Sequence, residues 1–211
     1  MALRQLIGLI APPLCAACGA GAGSLEPLCA HCRRELRWLD AAVVAPSGVP
    51  LWAPVAYEGP ARGLVRALKF RGAARAEETM AAQIAANAPP GTLGRGHLVP
   101  VPLHPRRLRV RGFNQAERLA AGVAARAGME VADCLERTGP SATQVGRDRS
   151  ERLVAPHGTV RVRPAAGVPR RAILVDDVVT TGGTLAACAA ALLEAGATDV
   201  TAIAYARTPG R

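Results

Sequence analysis

The run Ile173-Leu174-Val175-Asp176-Asp177-Val178-Val179-Thr180-Thr181-Gly182-Gly183-Thr184 constrains this chain more than any other. Its opening, residues 172–175, reads as a strand apolar on both faces, and such strands belong to parallel sheets covered by helices on both sides. A helix over 184–195 and a strand over 200–205 follow. The same alternation recurs upstream: a strand over 53–57, helices over 63–70 and 77–87, a strand over 97–101, a helix over 114–127 stopped by Gly128, and a strand over 131–136. This order predicts an α/β fold with a mostly parallel sheet and helices on both faces. Half of the 211 residues are apolar but only 3% are aromatic, so the core has to be built from Ala, Val and Leu. Small side chains favour helices packed closely on the sheet.

Ligands of open α/β sheets sit at the carboxyl ends of the strands, which is where this run turns polar. Gly182 and Gly183 permit close backbone approach. The loop amides, the start of the helix and the hydroxyls of Thr180, Thr181 and Thr184 make a phosphate cradle. Two carboxylates beside a bare phosphate would repel it, so Asp176 and Asp177 need another task. Accepting hydrogen bonds from vicinal sugar hydroxyls is one, and holding a metal that neutralises pyrophosphate is another. The predicted ligand is therefore a phosphorylated ribose. A Walker loop is excluded because no Gly-Lys-Ser/Thr occurs here, and this turn lacks a dinucleotide fingerprint.

Four of the six cysteines fall in two tight pairs, Cys15-x-x-Cys18 and Cys29-x-x-Cys32. Each pair can point two sulfurs at one ion, and together they predict a closed, structural Zn2+ site in a reducing compartment. His31 lies inside the second pair, but four thiolates already saturate such a site and leave no open position for catalysis. Cys134 and Cys188 read as small core residues. Pro46, Gly48 and Pro50 mark a boundary, which divides the chain into an N-terminal helix and zinc ribbon over 1–45 and an α/β domain over 50–211. The apolar run 6–10 behind Arg4 is too brief for a secretion signal, and no later run reaches membrane-span length. A soluble, cytoplasmic protein is expected.

The formal charge is +10, carried almost wholly by Arg; Lys69 is the single lysine among 26 basic residues. A surplus of this size predicts a polyanionic partner, either phosphates in a pocket or a nucleic acid along a surface. Arg106, Arg107, Arg109 and Arg111 crowd a Pro-rich turn over 102–114. Lys69 is a candidate phosphate contact, whereas His104, between Leu103 and Pro105, reads as structural. Residues 139–152 are polar and without period, which predicts a long mobile loop carrying Gln144, Arg147, Arg149 and Arg152.

Taken together, the chain resembles the type I phosphoribosyltransferases, and more narrowly the competence protein F (ComF) family, also described as amidophosphoribosyltransferase-like. The resemblance rests on the acid pair with its Thr/Gly loop, the N-terminal Cys pairs, Tyr57-Glu58-Gly59 with Leu68-Lys69-Phe70, Pro100-Val101-Pro102-Leu103-His104-Pro105-Arg106-Arg107, and Arg111-Gly112-Phe113-Asn114-Gln115. It implies a binding site for phosphoribosyl pyrophosphate (PRPP) with Mg2+. In it, Asp176 and Asp177 would meet the ribose 2′ and 3′ hydroxyls, Thr180, Thr181, Gly182, Gly183 and Thr184 would hold the 5′-phosphate, and Val178 and Val179 would belong to the PRPP-binding run. Lys69 would contact phosphate, Arg106 and Arg107 would neutralise the leaving pyrophosphate, and Arg149 would act from a closing hood. The hood departs from the family pattern in the placing of Gln144 and in Val154-Ala155-Pro156-His157.

The implied activity is transfer of a phosphoribosyl group to a nitrogen acceptor with release of pyrophosphate. The resemblance leaves two alternatives. One is a non-catalytic competence accessory protein that binds single-stranded DNA or partner proteins; the other is a PRPP-sensing regulator. Aromatic side chains for stacking on single strands are scarce: Trp38, Trp52, Tyr57, Phe70, Phe113 and Tyr205.

Overall fold

The computed structural model describes residues 14–23, 27–45, 48–138 and 160–209. Its centre is built from the two longest Val/Ile/Ala runs. Strand β8 (Arg171–Val179) pairs in parallel with β9 (Asp199–Arg207), from Arg171 opposite Asp199 to Val179 opposite Arg207. On the other side of β8 lies β4 (His97–Pro100), also parallel, and β5 (Glu130–Val131) extends β4. Beyond β9 come β2 (Pro50–Trp52) and β3 (Val55–Ala56), two pieces of one extended run interrupted at Ala53 and Pro54. Strand β1 (Val43–Val44) closes that edge, antiparallel to β2. Every other pairing of this seven-stranded sheet is parallel, as the strand–helix alternation predicts.

Helices α2 (Gly59–Arg71), α3 (Ala74–Asn87) and α5 (Gln115–Ala127) cover one face. Their Leu64, Leu68, Met80, Ile84, Leu119 and Val123 pack with Ile173, Val175, Ile203 and Tyr205. The opposite face carries α6 (Gly183–Glu194) and a hairpin of β6 (Leu135–Arg137) with β7 (Val160–Val162). There Leu185, Cys188 and Leu192 meet Leu51, Val99, Leu174 and Ala202. Strand β8 thus buries both faces, with Ile173 and Val175 on one side and Ala172 and Leu174 on the other. Truncating a fully buried leucine such as Leu174 to Ala would cost about 2–5 kcal/mol.

The cysteine segment lies on the first of these faces. Cys15, Leu28, Cys32 and Leu36 share a core with Trp52 and Leu64, and the short helix α1 (Ala30–Arg34) follows Cys29. The approach is close. A Cβ built on Gly63 of α2 would stand 2.5 Å from the Ala17 carbonyl oxygen, so only hydrogen fits there.

The structure corrects the sequence reading at three places. Strand β8 runs on past the apolar residues through Asp176 and Asp177 to Val179, because Val178 and Val179 stay paired with Ala206 and Arg207 of the long β9. The expected strand over 131–136 is two strands in different sheets: β5 ends at Val131, the Ala132 amide still bonds to the Leu98 carbonyl, and β6 begins at Leu135. The expected turn over 102–114 contains a helix, α4 (Pro105–Arg111). His104 Nδ1 accepts from the Arg106 amide at 3.1 Å to start it, and left-handed Gly112 ends it. None of its residues is buried, so no apolar period could announce it. The expected N-terminal helix and the expected loop over 139–152, with its hood over 143–152, lie outside the described residues.

Candidate functional site

Pleating sends successive side chains of a strand to opposite faces, yet at the end of β8 the carboxyl groups of Asp176 and Asp177 stay close enough to interact. Asp177 points to the α2 side and is almost completely buried, its side chain only 3% exposed. Lys69, near the end of α2, places Nζ 3.0 Å from Asp177 Oδ2. The contact is an ion pair at close range, although its alignment falls short of a hydrogen bond. Asp176 is partly buried, and its Oδ1 accepts the Asp177 amide at 2.8 Å. Burial, and then the neighbouring Asp177 charge, push its carboxyl well above the usual carboxylate range; the Asp177 amide and the Lys69 charge oppose this without cancelling it.

A second cation reaches the same place. Arg111, the last residue of α4, is half-buried; desolvation lowers its affinity for a proton, the Asp177 charge raises it, and Arg107 lowers it again. Its guanidinium donates to Gln115 Oε1 and stands 6.0 Å from the centre of the Phe70 ring. Phe70 itself is 77% exposed. Arg106 and Arg107 are exposed on α4, and Arg149 lies outside the described residues. A third cation, Arg207, ends β9 opposite Val179; its Nε is buried and has no hydrogen-bond partner.

Beyond Val179 the chain turns through Thr180 and Thr181 into Gly182, which caps α6 at φ +78°. An L side chain avoids that backbone region, so the turn calls for glycine. No side chain caps the helix, and the first turn closes through the Ala186 amide on the Gly182 carbonyl. Among the described residues, no backbone bond outside the helix and strand ladders takes the amides of Thr180, Thr181, Gly182, Gly183 or Thr184 as donor. Those N–H groups and the helix dipole are thus available to an anion. The acids, Lys69 and the Thr/Gly turn that the sequence singles out therefore converge at the carboxyl end of β8. Arg207 carries no local signal, and Arg111 cannot be told from its arginine neighbours by sequence alone.

The four thiols of Cys15, Cys18, Cys29 and Cys32 lie within 4.8 Å of one another, with Cys18 and Cys29 Sγ 3.8 Å apart, and none is in a disulfide. Burial opposes ionisation of Cys15, but hydrogen bonds from Cys29, Cys18 and Ala17 outweigh it and bring the thiol down to about 6. Cys32 is driven up by burial and by its thiol neighbours. Four such groups cannot all ionise without a cation among them, and an S4 donor set of this size can hold a structural zinc ion. His31 is exposed and outside the cluster. Cys134 and Cys188 are buried in the core, and burial raises both thiols.

The fold is α/β with a mostly parallel sheet, and the four-cysteine cluster stands N-terminal to it. No family model matches the chain. One curated protein to which it is similar is Competence protein ComFC of Streptococcus pneumoniae (strain ATCC BAA-255 / R6), 39% identical over 105 residues, which are 48% of this chain and 44% of that protein. The match thus spans less than half the length of the relative. Among solved structures, the chain is similar to orotate phosphoribosyltransferase from Aeropyrum pernix, at 19% identity, 82% of this chain, 75% of that one and a TM-score of 0.41. It is also similar to glutamine phosphoribosylpyrophosphate (PRPP) amidotransferase from B. subtilis complexed with ADP and GMP, at 21% identity, 61% of this chain, 25% of that one and a TM-score of 0.38. No helix among the described residues is long and apolar enough to cross a membrane.

Proposed function

We propose that this chain binds PRPP at the carboxyl end of β8 and transfers its phosphoribosyl group to a nitrogen acceptor, releasing pyrophosphate. The observation that carries the reading is the acid pair running into a glycine-capped helix start whose amides have no backbone partner. Asp176 and Asp177 would accept hydrogen bonds from the ribose diol, and the 180–184 turn would hold the 5′-phosphate. Lys69 and Arg111, with Arg106 and Arg107 on α4 and Arg149 in the following segment, would neutralise the pyrophosphate. In the reaction the bond from C1 to the pyrophosphate oxygen breaks as the acceptor nitrogen bonds to C1, and the acceptor's proton leaves to solvent or to the pyrophosphate. These cations stabilise charge that grows on the leaving group, so no dedicated nucleophile is needed.

Mg2+ would supply further charge neutralisation, bound to the diphosphate of the ligand. Residues 1–45 serve as the zinc module and 50–211 as the catalytic unit, in a reducing, cytoplasmic setting that keeps the four thiols available to zinc. Titration of PRPP with Mg2+ into the wild-type chain and Asp176→Asn/Asp177→Asn tests the pocket. A loss of roughly ten- to a hundred-fold is expected for two charge-assisted hydrogen bonds, and equal affinities would remove the sugar assignment. Release of pyrophosphate on adding ammonia, glutamine or a panel of bases is the expected sign of turnover. PRPP binding without release under every acceptor would favour the regulator.

A second reading, binding of single-stranded DNA in a competence role, is favoured by the surface next to the site. Phe70 and Val110 are 77% and 86% exposed, beside the exposed arginines of α4.

A further inference from the structure

A carboxylate as buried as that of Asp177 needs a compensating charge, and this chain has placed its single lysine there. We propose that Lys69 is a tethered counter-ion that fills the cation position of Asp177 in the empty protein, so that a free divalent ion finds no site at these acids. The assignment deepens the sugar-phosphate reading of the site and rests on it for the eventual ligand. Two observations carry it. Nζ stands 3.0 Å from Oδ2. A magnesium-sized ion bound to that oxygen at about 2.1 Å would be forced against the ammonium, and the two cations would repel. Arg111 is engaged by Gln115 and faces the Phe70 ring, so it does not take over the carboxylate in place of the lysine.

Lysine suits this task where arginine would not. Its ammonium is a compact charge on a flexible stem, and Lys69 is 24% exposed, so it can swing off the carboxylate toward an incoming anion. A guanidinium fork would hold a carboxylate through two bonds and release it less readily. A metal ion would then enter only with a diphosphate that draws the ammonium away, which makes Lys69 a positioning residue for the order in which the ligand and its metal bind.

The test is titration of Mn2+ alone into the zinc-saturated full chain, with unbound Mn2+ read by electron paramagnetic resonance. Wild type and Asp177→Asn are expected to titrate alike. Lys69→Ala is expected to gain one site, at least roughly ten-fold tighter than anything in wild type, that disappears in Lys69→Ala/Asp177→Asn. Lys69→Arg, which keeps a cation, is expected to gain none. A wild-type Mn2+ site that Asp177→Asn abolishes would overturn the proposal, and so would a folded Lys69→Ala chain that binds no more metal than wild type. If circular dichroism shows that Lys69→Ala does not fold, Lys69→Gln is read in its place by the same criteria. Because PRPP is absent throughout, failure of PRPP to bind in a separate titration would sink the functional reading and leave this result standing, and the reverse also holds.

Discussion

Asp176 and Asp177 are adjacent, yet the Lys69 ammonium sits directly against the Asp177 carboxylate alone. Burial and the Asp177 charge raise the Asp176 carboxyl above its ordinary value of 3.8. A raised folded value means that the stability Asp176 contributes is whole below pH 3.8 and is lost as pH climbs through the folded value. At neutral pH, therefore, Asp176 costs the fold something. Asp176→Asn is expected to raise Tm at pH 8, by some 2–4 °C for about 1 kcal/mol, and the gap to wild type should close at pH 4. Asp177→Asn should lose about 1–2 kcal/mol at pH 8, because the Lys69 ammonium is left without its partner in a place where water reaches only part of it. Thermal melts of wild type and both variants at the two pH values check this; a gain for Asp176→Asn that is the same at pH 4 and pH 8 would show that its carboxyl is not strained by ionisation.

At the scale of elements, what could be read from the sequence was whatever a local run determines. The apolar strand, the acid pair and the Gly-containing start of α6 are contiguous, so their chemistry and placement are visible in twelve residues. Lys69 is a different matter: it reaches Asp177 across more than a hundred residues of chain, and a parallel sheet with α2 on one face is needed to bring them together. Helix α4 carries no sequence signal because it buries nothing, and β8 extends past its apolar run because Val178 and Val179 are held by pairing with β9. The cysteine segment was legible in its ligands but not in its docking. Gly63 records that docking, since the Ala17 backbone leaves no room for a methyl group on α2. Gly63→Ala should therefore lower Tm by the equivalent of about 1–3 kcal/mol and weaken zinc retention, and one zinc per chain should be lost more readily to a chelator than from wild type. Metal analysis after graded chelation reads this, and unchanged retention together with an unchanged Tm would show that the cysteine segment does not depend on its seat on α2.

The charge of the whole molecule favours anions, and its distribution says where they would be met. Lys69, Arg111 and Arg207 stand at the carboxyl end of the sheet, while Arg106, Arg107 and Arg109 project from α4 with Phe70 and Val110 bare beside them. A small sugar diphosphate would use the first group together with Arg106 and Arg107. A single strand of DNA would need both, because its phosphates recur along a line and its bases need an apolar face. The two ligands should then compete, and their dependence on salt should differ. For single-stranded DNA the logarithm of affinity falls with the logarithm of salt by about 0.7 for each phosphate neutralised. Arg106→Ala/Arg107→Ala/Arg109→Ala is thus expected to flatten the DNA slope by about 2 while leaving the melting temperature near that of wild type, since none of the three is buried. Phe70→Ala, by contrast, should weaken DNA by about 1–3 kcal/mol with the slope intact, because stacking releases no counterions. Titrations of a short oligonucleotide across a salt series, with and without PRPP and Mg2+, separate these contributions. A slope indifferent to the triple variant would mean that the arginines of α4 serve the pyrophosphate side of the pocket alone, and that the exposed ring of Phe70 faces a different partner.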